Sequence, residues 1–251
     1  MIAITRGVSR NIAAGEVTHV ERVPLDYERA RMQHEQYVAL LRELGCEVIE
    51  MPADDAYPDC VFIEDTAIVL DDVAVITRPG AESRRGEVDA VADALQRLRP
   101  IVRIEAPATI DGGDVLVLGD RIFVGLSSRT NEEALAQLAR LTGREVVPVR
   151  THGALHLKTA ITRVGERTLL VNRAWVDVAP FDGWELIDAH PEEPFGANAV
   201  RLRDAIIYPT AFPKTAARLE ARGLHLKRVD ADELAKVEGG VTCCSLLLGV
   251  H

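Results

Sequence analysis

The segment DGGDVLVLGDRIFVGLSSRTNEEALAQLARLTGREVVPV, residues 111–149, reads as one complete strand–strand–helix–strand unit. Val115–Leu118 and Ile122–Gly125 have strand character on either side of a Gly119-Asp120 turn. Thr130 and Glu133 make a T-x-x-E capping box, which predicts a helix over Asn131–Leu141, and Glu145–Val149 closes the unit as a strand. The preceding segment has the same order. Val61–Leu70 and Val73–Thr77 read as strands around Asp71-Asp72. Val88, Val91, Ala92, Leu95 and Leu98 then recur at helical spacing, and Ile101–Ile104 reads as a closing strand.

Two further units follow. The third predicts strands over Leu155–Val164, Arg167–Val171 and Trp184–Ile187, with a weak or missing helix. The fourth predicts strands over Asn198–Leu202, Ala205–Tyr208 and Leu226–Val229 with a helix over Lys214–Arg222. The remainder is a unit in two pieces. Ile2–Thr5, a helix over Asp26–Leu44 and a strand over Cys46–Met51 lack a first strand, and the apolar run Val241–Val250 has nothing after it. Joining the two ends completes a fifth unit, which is how closed radial sheet architectures latch themselves. The fold class predicted is α/β, a five-unit closed propeller of ββαβ modules in a single catalytic domain spanning 1–251.

Composition narrows the function. The 251 residues carry 29 basic and 39 acidic side chains, a formal charge of −10. A phosphate-binding protein normally shows a basic surplus or stripe, and five Phe, four Tyr and two Trp are too few for a base-stacking platform. Nucleic acid is therefore not an expected partner. Apolar runs stay far below the ~20 residues a membrane span needs, and MIAITRGVSRN lacks a signal-peptide core. The four cysteines, Cys46, Cys60, Cys243 and Cys244, show no C-x-x-C spacing. The expectation is a reduced cytoplasmic protein without a membrane partner.

Reactive residue types sit at or just before the first strand of every unit: Asp59, Glu64 and Asp65, then Asp111 and Asp114, then His156, Asn198 and Cys243. In a ring these equivalent positions converge on the axis. A Cys with a distant His and a carboxylate is a candidate nucleophile constellation, because a thiolate needs a base or a cation to be populated. His152 and His156 share i, i+4 spacing, but no H-E-x-x-H is present and Gly153 argues against a helix there, so no metal is expected. Three carboxylates in the apolar segment DCVFIED call for a cation. Either one of the many arginines pairs with them internally, or a cationic substrate does, and a planar guanidinium suits best. The loops RPGAESRRG, with Arg78, Arg84 and Arg85, and SSRTN, with Arg129, are then free to hold an anionic end.

Taken together, DCVFIEDTA (59–67), ITRPGAESRR (76–85), DGGDVL (111–116), FVGLSSRTN (123–131), LHLKT (155–159), AN (197–198) and GGVTCCS (239–245) resemble the dimethylarginine dimethylaminohydrolases of the pentein superfamily. The resemblance implies a five-unit α/β propeller, as the repeat does. It implies Cys243 as nucleophile, His156 as general acid/base and Asp111 as the carboxylate orienting His156. Asp59, Glu64 and Asp65 would bind a guanidinium, Arg84 and Arg129 an α-carboxylate, and backbone carbonyls near Val17 and Val237 an α-amino group. The implied reaction converts methylated arginines to citrulline and an alkylamine with no metal or organic cofactor. A small molecule is the expected partner of a monomer or homodimer. Two alternatives compete: a hydrolase of unmethylated arginine on the same fold, and a non-catalytic propeller that binds without reaction.

Overall fold

The computed structural model describes residues 1–249, so the predicted strand end at Val250 lies outside the described residues. In chain order the elements are β1 (Ile2–Arg6), α1 (Tyr27–Glu43), β2 (Glu47–Met51), β3 (Ala67–Val69), β4 (Ala74–Ile76), α2 (Val88–Leu95) and β5 (Ile101–Arg103). The unit that opened the sequence reading follows as β6 (Val115–Leu118), β7 (Arg121–Leu126), α3 (Glu132–Thr142) and β8 (Glu145–Arg150). Next come a single helical turn α4 (Leu157–Ala160), β9 (Ile161–Arg163), β10 (Thr168–Val171) and β11 (Glu185–Asp188). The chain continues through β12 (Val200–Leu202), β13 (Ala205–Pro209), α5 (Pro213–Glu220), β14 (His225–Val229), the short α6 (Asp232–Ala235) and β15 (Leu246–Leu248).

These strands form five three-stranded sheets, and in each the middle strand runs antiparallel to one neighbour and parallel to the other. The sheet β15-β1-β2 joins the two extremes of the sequence, with Ile4 opposite Leu246 and opposite Ile49. The hydrophobic cores lie between sheets. One cluster packs Ile4 and Leu246 against Ile76 and Val91, the next packs Val75 against Val124 and Leu138, and a third packs Phe123 against Leu169. A fourth packs Leu170 against Ile206 and Leu219, and the fifth returns from Ile207 to Ala3 and Leu41. Each interface joins consecutive modules, so the ring is closed.

Several predicted boundaries move by a residue or two, and the largest changes are at the inner strands. The run Val61–Leu70 is apolar because it is buried throughout, but Ile63–Thr66 winds as a 3-10 turn and only Ala67–Val69 pairs. Leu155–Val164 likewise splits into α4 and β9, and Val241–Val250 splits into the 3-10 turn Thr242–Cys244 and β15. A continuously buried run has no periodicity to separate a turn of helix from a strand. The capping box also shifts: Asn131 caps α3 by accepting from the Ala134 N–H, while the Thr130 hydroxyl donates to buried Asp114 at 2.7 Å.

His34, on the packed face of α1, is 6% exposed, and its Nε2 has no hydrogen-bond partner. Burial holds its imidazole down at about 4, with partial compensation from Glu50 and Glu35. The unfolded chain takes up this proton below about pH 6.5, whereas the folded chain waits until about 4. The contribution is thus fully present above pH 6.5 and is lost as pH falls through that window, by on the order of 3 kcal/mol. Denaturant unfolding at pH 7 and pH 4 should show a smaller loss for His34→Leu than for the wild type. Equal losses would place the acid sensitivity elsewhere.

Candidate active site

The helical turns that displaced the predicted strands aim the reactive side chains at the ring axis. The turn before β3 carries Glu64 and Asp65, the turn before β6 follows Asp111, α4 follows His156, and the turn before β15 carries Cys243. His156 Nε2 lies 3.0 Å from Asp111 Oδ2, and its Nδ1 is 3.9 Å from Asp65 Oδ1. Asp111 is itself held by the Gly80 N–H at 2.9 Å. The imidazole lies against Gly113, where a Cβ would come within 2.7 Å of Nδ1; only glycine admits the ring this closely. The Gly113 N–H donates to Asp65 at 2.9 Å.

Burial alone would lower the basicity of His156. The carboxylates of Asp65, Asp111 and Asp114 overturn that and push it up to about 9, so the ring is an imidazolium at neutral pH. Cys243 moves the opposite way from what a preformed thiolate needs. Burial, Glu64 and Asp65 push its thiol up to about 12, against weak relief from the Gly240 N–H at 3.4 Å and the Thr242 hydroxyl. Behind His156, burial raises Asp114 to about 6 although the Ser127 and Thr130 hydroxyls and the Leu157 N–H all donate to it.

Cys243, His156 and Glu64 line one cavity of 280 Å³ together with Lys158 and Asn198. Its far wall is apolar, built from Val20, Phe195, Phe212 and Val241. Glu64 bridges Lys158 Nζ at 2.6 Å and the Thr242 hydroxyl at 2.8 Å, and Asn198 donates to that hydroxyl at 3.0 Å. The axis thus already holds a cation on one of its carboxylates.

The remaining predicted residues surround this cavity. Arg84 is 4% exposed and engaged through all but one of its N–H groups: it donates to Asp65 at 2.6 Å, to both Glu87 oxygens, and to the Phe62 carbonyl at 2.9 Å. For Asp65, the cation demanded by the sequence is therefore an internal arginine. Arg129 is freer: among the described residues its guanidinium has Thr18 Oγ1 at 3.5 Å and Asp111 at 3.9 Å, with Asp59 also within electrostatic reach. Asp59 accepts from the Glu16 N–H at 2.9 Å, beneath the loop before α1. Val17 and Val237 pack in one apolar cluster, and their neighbours join the two loops: the Thr18 and His19 N–H groups donate to Glu238 at 2.5 and 2.7 Å. Sequence reasoning gave no role to Lys158, Thr242 or Glu238; Lys158 was visible only as part of LHLKT.

Asp65, Asp111 and His156 bring three potential ligand atoms within 4.8 Å of one another. Both carboxylates are already bound, by Arg84 and Gly80 respectively, and a protonated imidazole has no lone pair for a metal. The donor set suits proton transfer.

A closed five-module α/β ring whose axial turns carry a thiol and a carboxylate-held imidazolium has the architecture of the pentein enzymes that modify guanidino groups. A cyanobacterial arginine dihydrolase domain shares the fold with TM-score 0.89 over 97% of this chain and 96% of its own, at 19% identity. The nearer likeness is to a cysteine-to-serine mutant of dimethylarginine dimethylaminohydrolase from Pseudomonas aeruginosa complexed with citrulline, with TM-score 0.92, 33% identity and 97% of each chain covered. A family model described as eukaryotic N,N-dimethylarginine dimethylhydrolase matches residues 20–179. The dimethylarginine dimethylaminohydrolase of Streptomyces coelicolor is 41% identical over 98% of this chain and 96% of its own, and that of Pseudomonas aeruginosa 35% identical over 88% and 89%. The chain belongs to the dimethylarginine dimethylaminohydrolase family, hydrolases of guanidino carbon–nitrogen bonds.

Proposed function

We propose that the protein hydrolyses Nω-methylated arginines, asymmetric dimethylarginine and monomethylarginine, to citrulline and dimethylamine or methylamine. The observation that carries this reading is a thiol and a carboxylate-held imidazole lining one cavity with Glu64 and the apolar side chains of Val20, Phe195 and Phe212. The substrate guanidinium takes the Glu64 carboxylate in place of, or beside, Lys158, which sets its central carbon against Cys243. A cation beside the thiol favours thiolate, which offsets what Glu64 and Asp65 do to it, so that the Cys243 proton is released to solvent as the substrate binds while His156 keeps its own.

The thiolate adds to the guanidinium carbon, and His156 gives its proton to the alkylated nitrogen, which leaves as the amine. The amidino-thioether on Cys243 then takes up a water whose proton passes to His156. Collapse of that adduct breaks the carbon–sulfur bond and leaves citrulline. Asp111 fixes the ring orientation throughout, as the third member of a triad does. Arg129 holds the α-carboxylate, with Arg84 limited to the Nη1 proton that its internal bonds leave over. The carbonyls at Val17 and Val237, behind the loop contact to Glu238, take the α-amino group, and Asp59 steadies the loop above. Val20, Phe195 and Phe212 give methyl groups an apolar wall that unsubstituted arginine does not exploit.

The test is citrulline release from asymmetric dimethylarginine, monomethylarginine and arginine in parallel. Turnover of the methylated substrates with little from arginine is the expected result. Turnover of arginine alone would keep the chemistry and overturn the substrate. In the same assay Glu238→Ala removes both acceptors that hold the loop and should raise KM about tenfold, two modest hydrogen bonds' worth, with kcat within about twofold. An unchanged KM would show that the loop contact does not contribute to binding.

A further inference from the structure

A second cavity, of 330 Å³, lies on the ring axis behind the first. Its walls come from all five inner strands: β3, β6, β9, β12 and β15. Glu64, Lys158 and Thr242 line both cavities, so the Glu64–Lys158 ion pair is the partition between them. The reactive turns precede the inner strands, which places the far mouth at the C-terminal ends of those strands. There β9 ends in Arg163, β12 carries Arg201, and the β12–β13 turn carries Arg203.

Among the described residues no carboxylate other than Glu64 lines this cavity, and Glu64 is taken by Lys158. Arg163 lines the mouth without a direct ion pair among the described residues: it donates to the Gly165 and Glu166 carbonyls at 3.0 Å, lies 5.8 Å over the Trp184 ring, and has only partial electrostatic compensation from Glu166. The Glu166 side chain is exposed and makes no ion pair among the described residues. Arg201 is half-buried and makes no hydrogen bond or ion pair among the described residues. It sits close enough to Arg163 to disfavour its charge. Two adjacent strands of one sheet interface thus present like charges side by side, in a chain whose formal charge is −10. Such an arrangement is unfavourable without an anion and is well matched to one, since a guanidinium fork pairs bidentately with planar or tetrahedral oxyanions.

We infer that the rear mouth of the ring, framed by Arg163, Arg201 and Arg203, is a binding site for a small oxyanion carrying phosphate or carboxylate groups, separate from the reaction cavity. Thermal unfolding of the intact protein tests it with inorganic phosphate and with citrate as probes, against sodium chloride at matched ionic strength. At ten times the dissociation constant, an occupied site raises Tm by about 3 °C or more. The expected result is such a shift with at least one probe in the wild type and in Arg129→Gln. In Arg201→Gln and Arg163→Gln it should fall to the chloride level, and Arg201→Lys should keep part of it. The probe that gives the larger shift identifies the head group. A wild-type shift no larger than chloride produces overturns the proposal. So does a shift that survives Arg201→Gln but vanishes in Arg129→Gln, because the anion then sits at the front. Circular dichroism of each variant before heating separates lost binding from lost fold.

Discussion

Cys243→Ser is expected to lower citrulline formation by roughly 10⁴-fold or more, with the fold retained. The reason is specific to this site. A serine nucleophile needs a base, and the one imidazole available is held protonated up to about pH 9 by Asp65, Asp111 and Asp114 against its burial. A thiol escapes the problem because an adjacent substrate cation can bring its ionisation within reach, whereas a hydroxyl starts several pH units higher. The same electrostatics predict how the free enzyme reacts with iodoacetamide. With the Cys243 thiol pushed up to about 12, labelling of that residue, followed by peptide mass, should climb about tenfold per pH unit from 7 to 10 without a plateau. A plateau near pH 6 would mean a preformed thiolate and would remove the need for the substrate cation. Cys244 is buried behind it, its thiol turned to the Gly240 carbonyl, and should stay unlabelled.

Arg84→Met should be the most destabilising single substitution near the site. It strips Asp65 and Glu87, both buried, of their shared cation. Removing one partner from a buried ion-paired cluster costs about 3–5 kcal/mol, a fall in Tm on the order of 10 °C for a chain of this length. Asp65, which Arg84 and His156 hold ionised despite its burial, would then lose one of its two cations. The variant also separates two uses of the arginine. A substrate ligand alone would raise KM and leave Tm in place, whereas the bonding observed here requires Tm to fall. Arg84→Lys, which keeps a charge but not the fork to both carboxylates, should fall between the two.

The repeat was legible because turns such as Gly119-Asp120 and the helical spacing around Val91 and Leu95 depend on local chemistry, which any window of sequence displays. The split module was legible for the same reason: β1, α1 and β2 read as a unit short of its first strand, and the run from Val241 reads as a first strand without its unit. The axial turns were not, since Ile63–Thr66 is buried throughout and Thr242–Cys244 leaves only Cys243 half-buried, too little alternation to read. Their register still exposed Cys243, His156, Asp111 and the Glu64–Asp65 pair. What sequence could not apportion was the pairing of charges. Twenty-five arginines were available, and only the closed ring shows that Arg84 serves Asp65 and Glu87, that Lys158 serves Glu64, and that Arg129 is left nearly free.

Strand β15 reaches its place by zipping onto β1, and the turn that presents Cys243 lies immediately before it. The ribosome therefore supplies the anchor of the proposed nucleophile late, after the imidazole and its carboxylates have been made. A nascent chain, or one in which the last strand has peeled away, holds an acid without its thiol in register. With Cys243 as the proposed nucleophile, catalysis doubles as a readout of topological completion: a chain that turns over substrate has joined its two extremes.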